Sequence, residues 1–161
     1  MSRKYSIILR RVTRFDIARQ SNLAKLRDWR IKNRFAYVGD YPITSKSIKT
    51  WLEDYVLSRA DRNLYWVIVN GKKIGTLGEN NITKNSMELS DVSRGDDAYR
   101  GAMHLALESL IAPYSIVTLK VRADNDHAIQ FYLRNNFRIT EEGNPYITMQ
   151  RDNKLVKKGV N

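Results

Sequence analysis

A chain of 161 residues, 42% apolar and 28% charged, is long enough to bury a core as one domain and is ordinary in composition for a globular protein. It has no Cys, which excludes disulfides, thiolate metal sites and a thiol nucleophile. The formal net charge of +11 is uneven, because residues 1–62 hold 15 Lys/Arg against 6 Asp/Glu, a balance of +9, which predicts an anionic partner for the N-terminal part.

No apolar run approaches membrane-spanning length, and nothing near Met1 reads as a targeting segment, since the early apolar run covers only Ile7 to Leu9. A cytoplasmic location is expected. Tyr5 to Val12 is predicted as a first strand, with Ile7 and Leu9 alternating against their neighbours. A helical segment opens at Phe15 or Asp16 and runs to Arg34, and uneven apolar spacing predicts a break near Ser21-Asn22. Gly39 to Pro42 reads as a turn. Thr44 or Ser45 then caps a helix carrying Ile48, Trp51, Leu52, Tyr55 and Val56.

Leu64 to Val69 is predicted as a strand, and Asn70-Gly71 as a tight hairpin turn into a partner strand over Lys73 to Ile82. Ser86 to Val92 follows as a third strand. Met103, Leu107, Leu110 and Ile111 form the stripe of a helix beginning near Ala102. Val117, Leu119 and Val121 alternate with Thr118, Lys120 and Arg122, the period of a half-buried strand. Asp124 or Asn125 offers an oxygen to cap the next helix, whose stripe is Ala128, Ile129, Tyr132 and Leu133. That helix is predicted to stop at Asn135-Asn136, where Asn tolerates the left-handed conformation, and Phe137 begins a further extended run. Residues 1–151 form a single predicted domain, with 152–161 a basic tail.

The run N-D-H-A-I-Q-F-Y-L-R-N-N-F, from Asn125 to Phe137, resembles the last conserved segment of the GNAT superfamily of acyl-CoA-dependent N-acetyltransferases. The family pattern reads N-x-x-A-I-x-x-Y-x-x-x-G-F, and Asn136 replaces its glycine. The order strand, two helices, three-strand meander, helix, strand, helix, strand, strand matches this family from about residue 5 to residue 150. L-R-D-W-R, the helix after I-T-S-K-S-I, and V-N-G-K-K-I-G resemble the branch holding the ribosomal-protein (RimJ/RimL-type), spermidine and nucleotide-amino-sugar acetyltransferases. M-E-L-S-D-V-S-R-G looks most like the sugar-type members. The resemblance implies an α/β fold whose mixed, mostly antiparallel sheet is splayed at an acetyl-CoA site and flanked by about four helices.

It also implies direct acetyl transfer from acetyl-CoA to a primary amine, with no metal. The pyrophosphate calls for main-chain N–H groups and positive charge at a helix start. Arg100, Gly101, Ala102, Met103 and His104 fall on the family's Arg/Gln-x-x-Gly-x-Gly/Ala segment, with Met103 and Leu105 where small residues are usual. Met103 leaves room for phosphates only if its side chain points inward. Tyr132 occupies the place of the family's general acid, and Asn125 that of a helix cap touching the pantetheine arm. Glu88 and Asp91 are candidate bases beside water-relayed deprotonation; a regular strand would set them on opposite faces unless a bulge intervenes. Glu79 and the ring of Trp29 are candidate acceptor contacts, core packing being the plainer reading of Trp29. His104 and His127 sit beside helix starts, where a phosphate contact or solvation accounts for them. The acceptor implied is small and anionic, such as a nucleotide-linked amino sugar. The rivals are a protein N-terminus and, without catalysis, a nucleic acid. A monomer or a homodimer is compatible with either reading.

Overall fold

The computed structural model describes residues 5–34, 42–95, 99 and 101–153. Strand β1 (Ile7–Arg11) leads into a one-turn helix α1 (Arg14–Ile17), started by the Asp16 carboxylate accepting the Thr13 N–H at 2.8 Å. Helix α2 (Gln20–Lys32) follows after a single extended residue, Arg19. The break therefore falls before the expected Ser21-Asn22. Asn22 belongs to α2, where its buried amide donates to the Asp16 carbonyl at 2.9 Å and satisfies a group left open at the end of α1.

Helix α3 (Ser45–Trp51) is capped by Thr44, whose hydroxyl accepts from Ser47 N at 3.0 Å while the Ser47 hydroxyl accepts from Thr44 N at 2.9 Å. It widens over Leu52–Val56 into one turn of π-helix, closed by Leu57 N–H to the Leu52 carbonyl at 2.8 Å. Strands β2 (Asn63–Val69) and β3 (Lys72–Asn80) are joined by Asn70 and Gly71 at φ of 50° and 82°, the two positive values a tight hairpin requires. Strand β4 (Ser86–Arg94), helix α4 (Ala102–Ile111), strand β5 (Ile116–Arg122), helix α5 (Asp126–Arg134), and strands β6 (Arg138–Glu141) and β7 (Tyr146–Asp152) complete the order. Asn136 ends α5 at φ 65°, the left-handed turn expected of it.

The sheet order is β1-β2-β3-β4-β5-β7-β6, antiparallel throughout except between β4 and β5. That parallel pair is short, joining only Ser86–Leu89 to Ile116–Leu119. Beyond it β4 runs on to Arg94 and β5 to Arg122 without pairing to each other, so the sheet opens into a V. A bulge helps to open it. Thr76 faces Ser93 and Gly78 faces Ser90, three residues of β4 against two of β3, with Asp91 at φ 50°. A bulge of this kind bends its strand and sharpens the twist.

Helices α4 and α5 cover one face through Met103, Ala106, Leu107, Ile111, Ile129 and Tyr132 over Val67, Leu77, Leu89 and Leu119. Helices α2 and α3 cover the other through Leu23, Leu26, Ile48 and Leu52 over Leu64, Trp66 and Ile68. Each large side chain buried this way contributes about 1.5–3 kcal/mol. The C-terminal run extends further than the sequence predicts. Asp152 ends β7 opposite Ile116, and the Asn153 amide donates to the carbonyls of Ile111 and Tyr114 at 3.0 and 2.9 Å, tying the strand to the end of α4.

Candidate active site

Parallel strands β4 and β5 point their C-terminal ends the same way, so the starts of α4 and α5 meet the open end of the V. Gly101 caps α4 at φ 81°, a conformation that disfavours a β-carbon, and Ala102 N–H closes the turn to the Tyr99 carbonyl at 3.1 Å. The N–H groups of the helix's first turn lie beyond the reach of its own carbonyls. Met103 points inward: it is buried, and its Sδ would lie 3.2 Å from a β-carbon built on Gly75. Its bulk is thus kept off the main-chain amides. His104 is exposed, and its Nδ1 bonds Asn135 Oδ1. Arg100, placed with these residues by the sequence, lies outside the described residues, as do Asp96 and Asp97.

On α5, Asn125 is buried and its side chain accepts Ala128 N–H at 3.2 Å, the expected cap. Tyr132, two turns on, is buried in the same apolar cluster as Met103. Its ring meets Phe131 and Phe137 edge-on at 5.5 and 5.7 Å, so its direction is fixed by packing.

The bulge settles the face on which Asp91 lies. Its carboxylate takes the Ser90 hydroxyl at 3.0 Å and Arg62 Nη2 at 3.0 Å, and both Arg62 and Asp91 are almost out of solvent. Glu88 shares this face, being two residues from Ser90 and opposite Asn80. Above them a cleft is lined by Leu26, Arg30, Trp51, Thr76, Asp91 and Ser93. Trp51 carries two guanidinium groups near its ring, Arg30 at 4.8 Å and Arg62 at 5.6 Å. Trp29 stands at the end of β4: its indole lies against Gly95, where a β-carbon would come within 2.2 Å, and meets Trp66 edge-on at 6.0 Å.

Glu79 is set apart from this group. It lies on the α4 side of the sheet, 3% exposed, taking the Tyr114 hydroxyl and the Asn63 amide, the latter at 3.3 Å. Burial first, and then Glu79, pushes the Tyr65 phenol up to about 12 and raises Tyr114 likewise. These phenols keep their protons in the folded chain where an unfolded chain loses them near pH ~10. Their contribution is fully present below that pH and is lost as pH rises towards 12. Stability should fall steeply in that range, with the phenolate absorbance of Tyr65 and Tyr114 appearing only as the chain unfolds. Independent titration of every tyrosine at its ordinary pH would overturn the assignment.

Arg30, Trp51 and Arg62 were not singled out by the sequence. Trp51 carries the spacing of a core residue, and Arg62 stands 29 residues from the carboxylate it binds. Among the described residues no three His, Asp or Glu side chains converge to hold a metal. No helix among them is long and apolar enough to cross a membrane.

No family model and no curated protein matches the sequence. Solved structures do match over nearly the whole chain. The apo structure of FdhC, a nucleotide-linked sugar GNAT, superposes with a TM-score of 0.71 at 16% identity, covering 92% of this chain and 88% of that one. The Campylobacter jejuni N-acetyltransferase PseH, in complex with acetyl coenzyme A, gives 0.65 at 16% identity, covering 92% and 99%. RimL, a ribosomal alpha-N-protein acetyltransferase, gives 0.66 at 16% identity, covering 91% and 90%. The chain therefore has the fold of the GNAT N-acetyltransferases.

Proposed function

We propose that this chain is an acetyl-CoA-dependent N-acetyltransferase that passes the acetyl group directly to the primary amine of a small anionic acceptor, such as a nucleotide-linked amino sugar. The observation that carries the reading is the V between β4 and β5, with the Gly101-capped start of α4 at its mouth and Tyr132 buried beside it. In this reading the phosphates of CoA lie at the amides of Gly101, Met103 and His104, freed by the inward turn of Met103, and the pantetheine arm passes Asn125.

The acceptor enters from the α2–α3 face. Arg30 and Arg62, from the strongly basic N-terminal part, stand over Trp51 and suit an anionic group. Its amine, neutral when it attacks, forms the new C–N bond as the C–S bond breaks. The amine's proton leaves through water or a carboxylate. Asp91 already binds Arg62, which favours a positioning duty for it, while Glu88 lies further down the same face. Tyr132 gives a proton, or a hydrogen bond, to the departing sulfur. A phenol near ~10 and a thiol near ~8.5 are close enough for either.

Thermal unfolding with and without acetyl-CoA tests the reading. At ~100 times the dissociation constant the protection should be about 2.7 kcal/mol, and thiol release should then follow when anionic amines are supplied, with an apparent affinity that weakens in salt. Absence of protection at millimolar acetyl-CoA would overturn it.

A further inference from the structure

His104 sits in the first turn of α4 with its ring held from one side. Asn135, at the end of α5, is buried, and its Nδ2 donates to the Phe131 carbonyl at 2.7 Å. That donation fixes the amide's orientation and turns Oδ1 towards His104 Nδ1. A buried carbonyl oxygen requires a donor, so Nδ1 carries the hydrogen. The ring's other nitrogen, Nε2, is then a bare lone pair in the neutral form and becomes a donor only when a second proton is added.

The frame around this contact is rigid and charged. Arg151 of β7 donates to the Asn135 carbonyl at 3.0 Å and grips Glu108, one turn along α4, with Nη2 to Oε2 at 3.0 Å. The bond to Arg151 holds the Glu108 carboxyl below its ordinary range, so it stays an anion. The groups about His104 are therefore a fixed amide, a paired carboxylate and a paired guanidinium. A shift of the proton to Nε2 would leave the buried Asn135 Oδ1 without a donor.

We propose that CoA binding draws a proton from solvent onto His104 Nε2, because Asn135 denies the neutral ring any donor to offer a phosphate. This rests on the acetyl-CoA reading above. Phosphate oxygens are acceptors only, so a neutral ring so held meets them with a lone pair. Proton uptake turns that repulsion into a charge-assisted hydrogen bond. Asn135 acts through His104 as a positioning residue, and CoA affinity declines as pH rises.

Calorimetry of CoA binding, at one pH near ~8 in two buffers of different ionisation enthalpy, measures the uptake directly. The 3′-phosphate is then already ionised, its second proton leaving near ~6. The whole chain should take up protons on binding CoA, up to about one per CoA, and none on binding phosphate-free S-acetylpantetheine. In His104→Gln, which keeps a neutral N–H donor, binding should weaken yet remain measurable, with the uptake abolished. In Asn135→Leu the ring turns freely and the neutral form donates, so the uptake should shrink although His104 remains. Equal heats in the two buffers, or undiminished uptake in His104→Gln, overturn the proposal while leaving CoA binding intact. Absence of any CoA binding overturns the acetyltransferase reading itself and the proposal with it.

Discussion

Tyr132→Phe should fold, bind acetyl-CoA with unchanged affinity and lose turnover by about 100-fold, the lower end of the range for a general acid. The substitution keeps the ring that meets Phe131 and Phe137, and thus the packing of α5 against β5. Only the hydroxyl goes. Charge collects on sulfur as the C–S bond breaks, so an interaction with it is made mainly in the transition state and appears in kcat rather than in binding. The lower end is expected because a thiolate is already a fair leaving group. Single-turnover rates with measured acetyl-CoA affinity separate the cases. Full activity in the folded variant would make the phenol structural. Lost activity with lost affinity would place the damage in packing.

The elements were legible because their signals are local. Alternation along Val117–Val121, the Asn125 cap two turns before Tyr132, the Asn70-Gly71 turn and the left-handed Asn136 each depend on a few adjacent residues, and the structure holds all four. The mixed sheet, splayed at the site, followed from the resemblance rather than from periodicity, and the parallel pairing of β4 with β5 was not assigned from the sequence. What stayed hidden depends on residues far apart. Arg62 and Asp91 meet across 29 positions, and His104 and Asn135 across 31. Glu79 carries no mark in the sequence of the face it occupies; its burial with Tyr65 and Tyr114 follows from the register of β2 with β3 and the return of the chain after α4. The bulge at Asp91 was the hinge of the site's reading. Without it Glu88 and Asp91 would lie on opposite faces, and with it Asp91 turns towards Arg62.

That pairing sets the largest stability effect expected of a single substitution. Arg62→Met should destabilise the fold by about 3–5 kcal/mol, since it leaves the Asp91 carboxylate buried without its counter-charge. The two side chains are only 13% and 12% exposed, so water cannot replace the lost partner. The Ser90 hydroxyl at 3.0 Å would remain, a single neutral donor in place of a guanidinium. The bond from Arg62 Nη1 to the Tyr55 carbonyl, 3.2 Å, is lost as well, which loosens the π-turn behind Trp51. For a chain of this size the midpoint of thermal unfolding should fall by roughly 6–20 °C. Adding Asp91→Asn should restore much of the loss, because a neutral amide at that place no longer demands a cation; the cycle isolates the coupling. The Arg62 Nε, buried without a hydrogen-bond partner among the described residues, is a cost that methionine relieves, so the double variant should lie nearer the parent than either single loss suggests. Denaturant unfolding of the four proteins decides the matter. A loss below ~1 kcal/mol in Arg62→Met, the size of an exposed ion pair, would mean that the cleft admits water to Asp91 and that the carboxylate stands ready for the acceptor's proton instead.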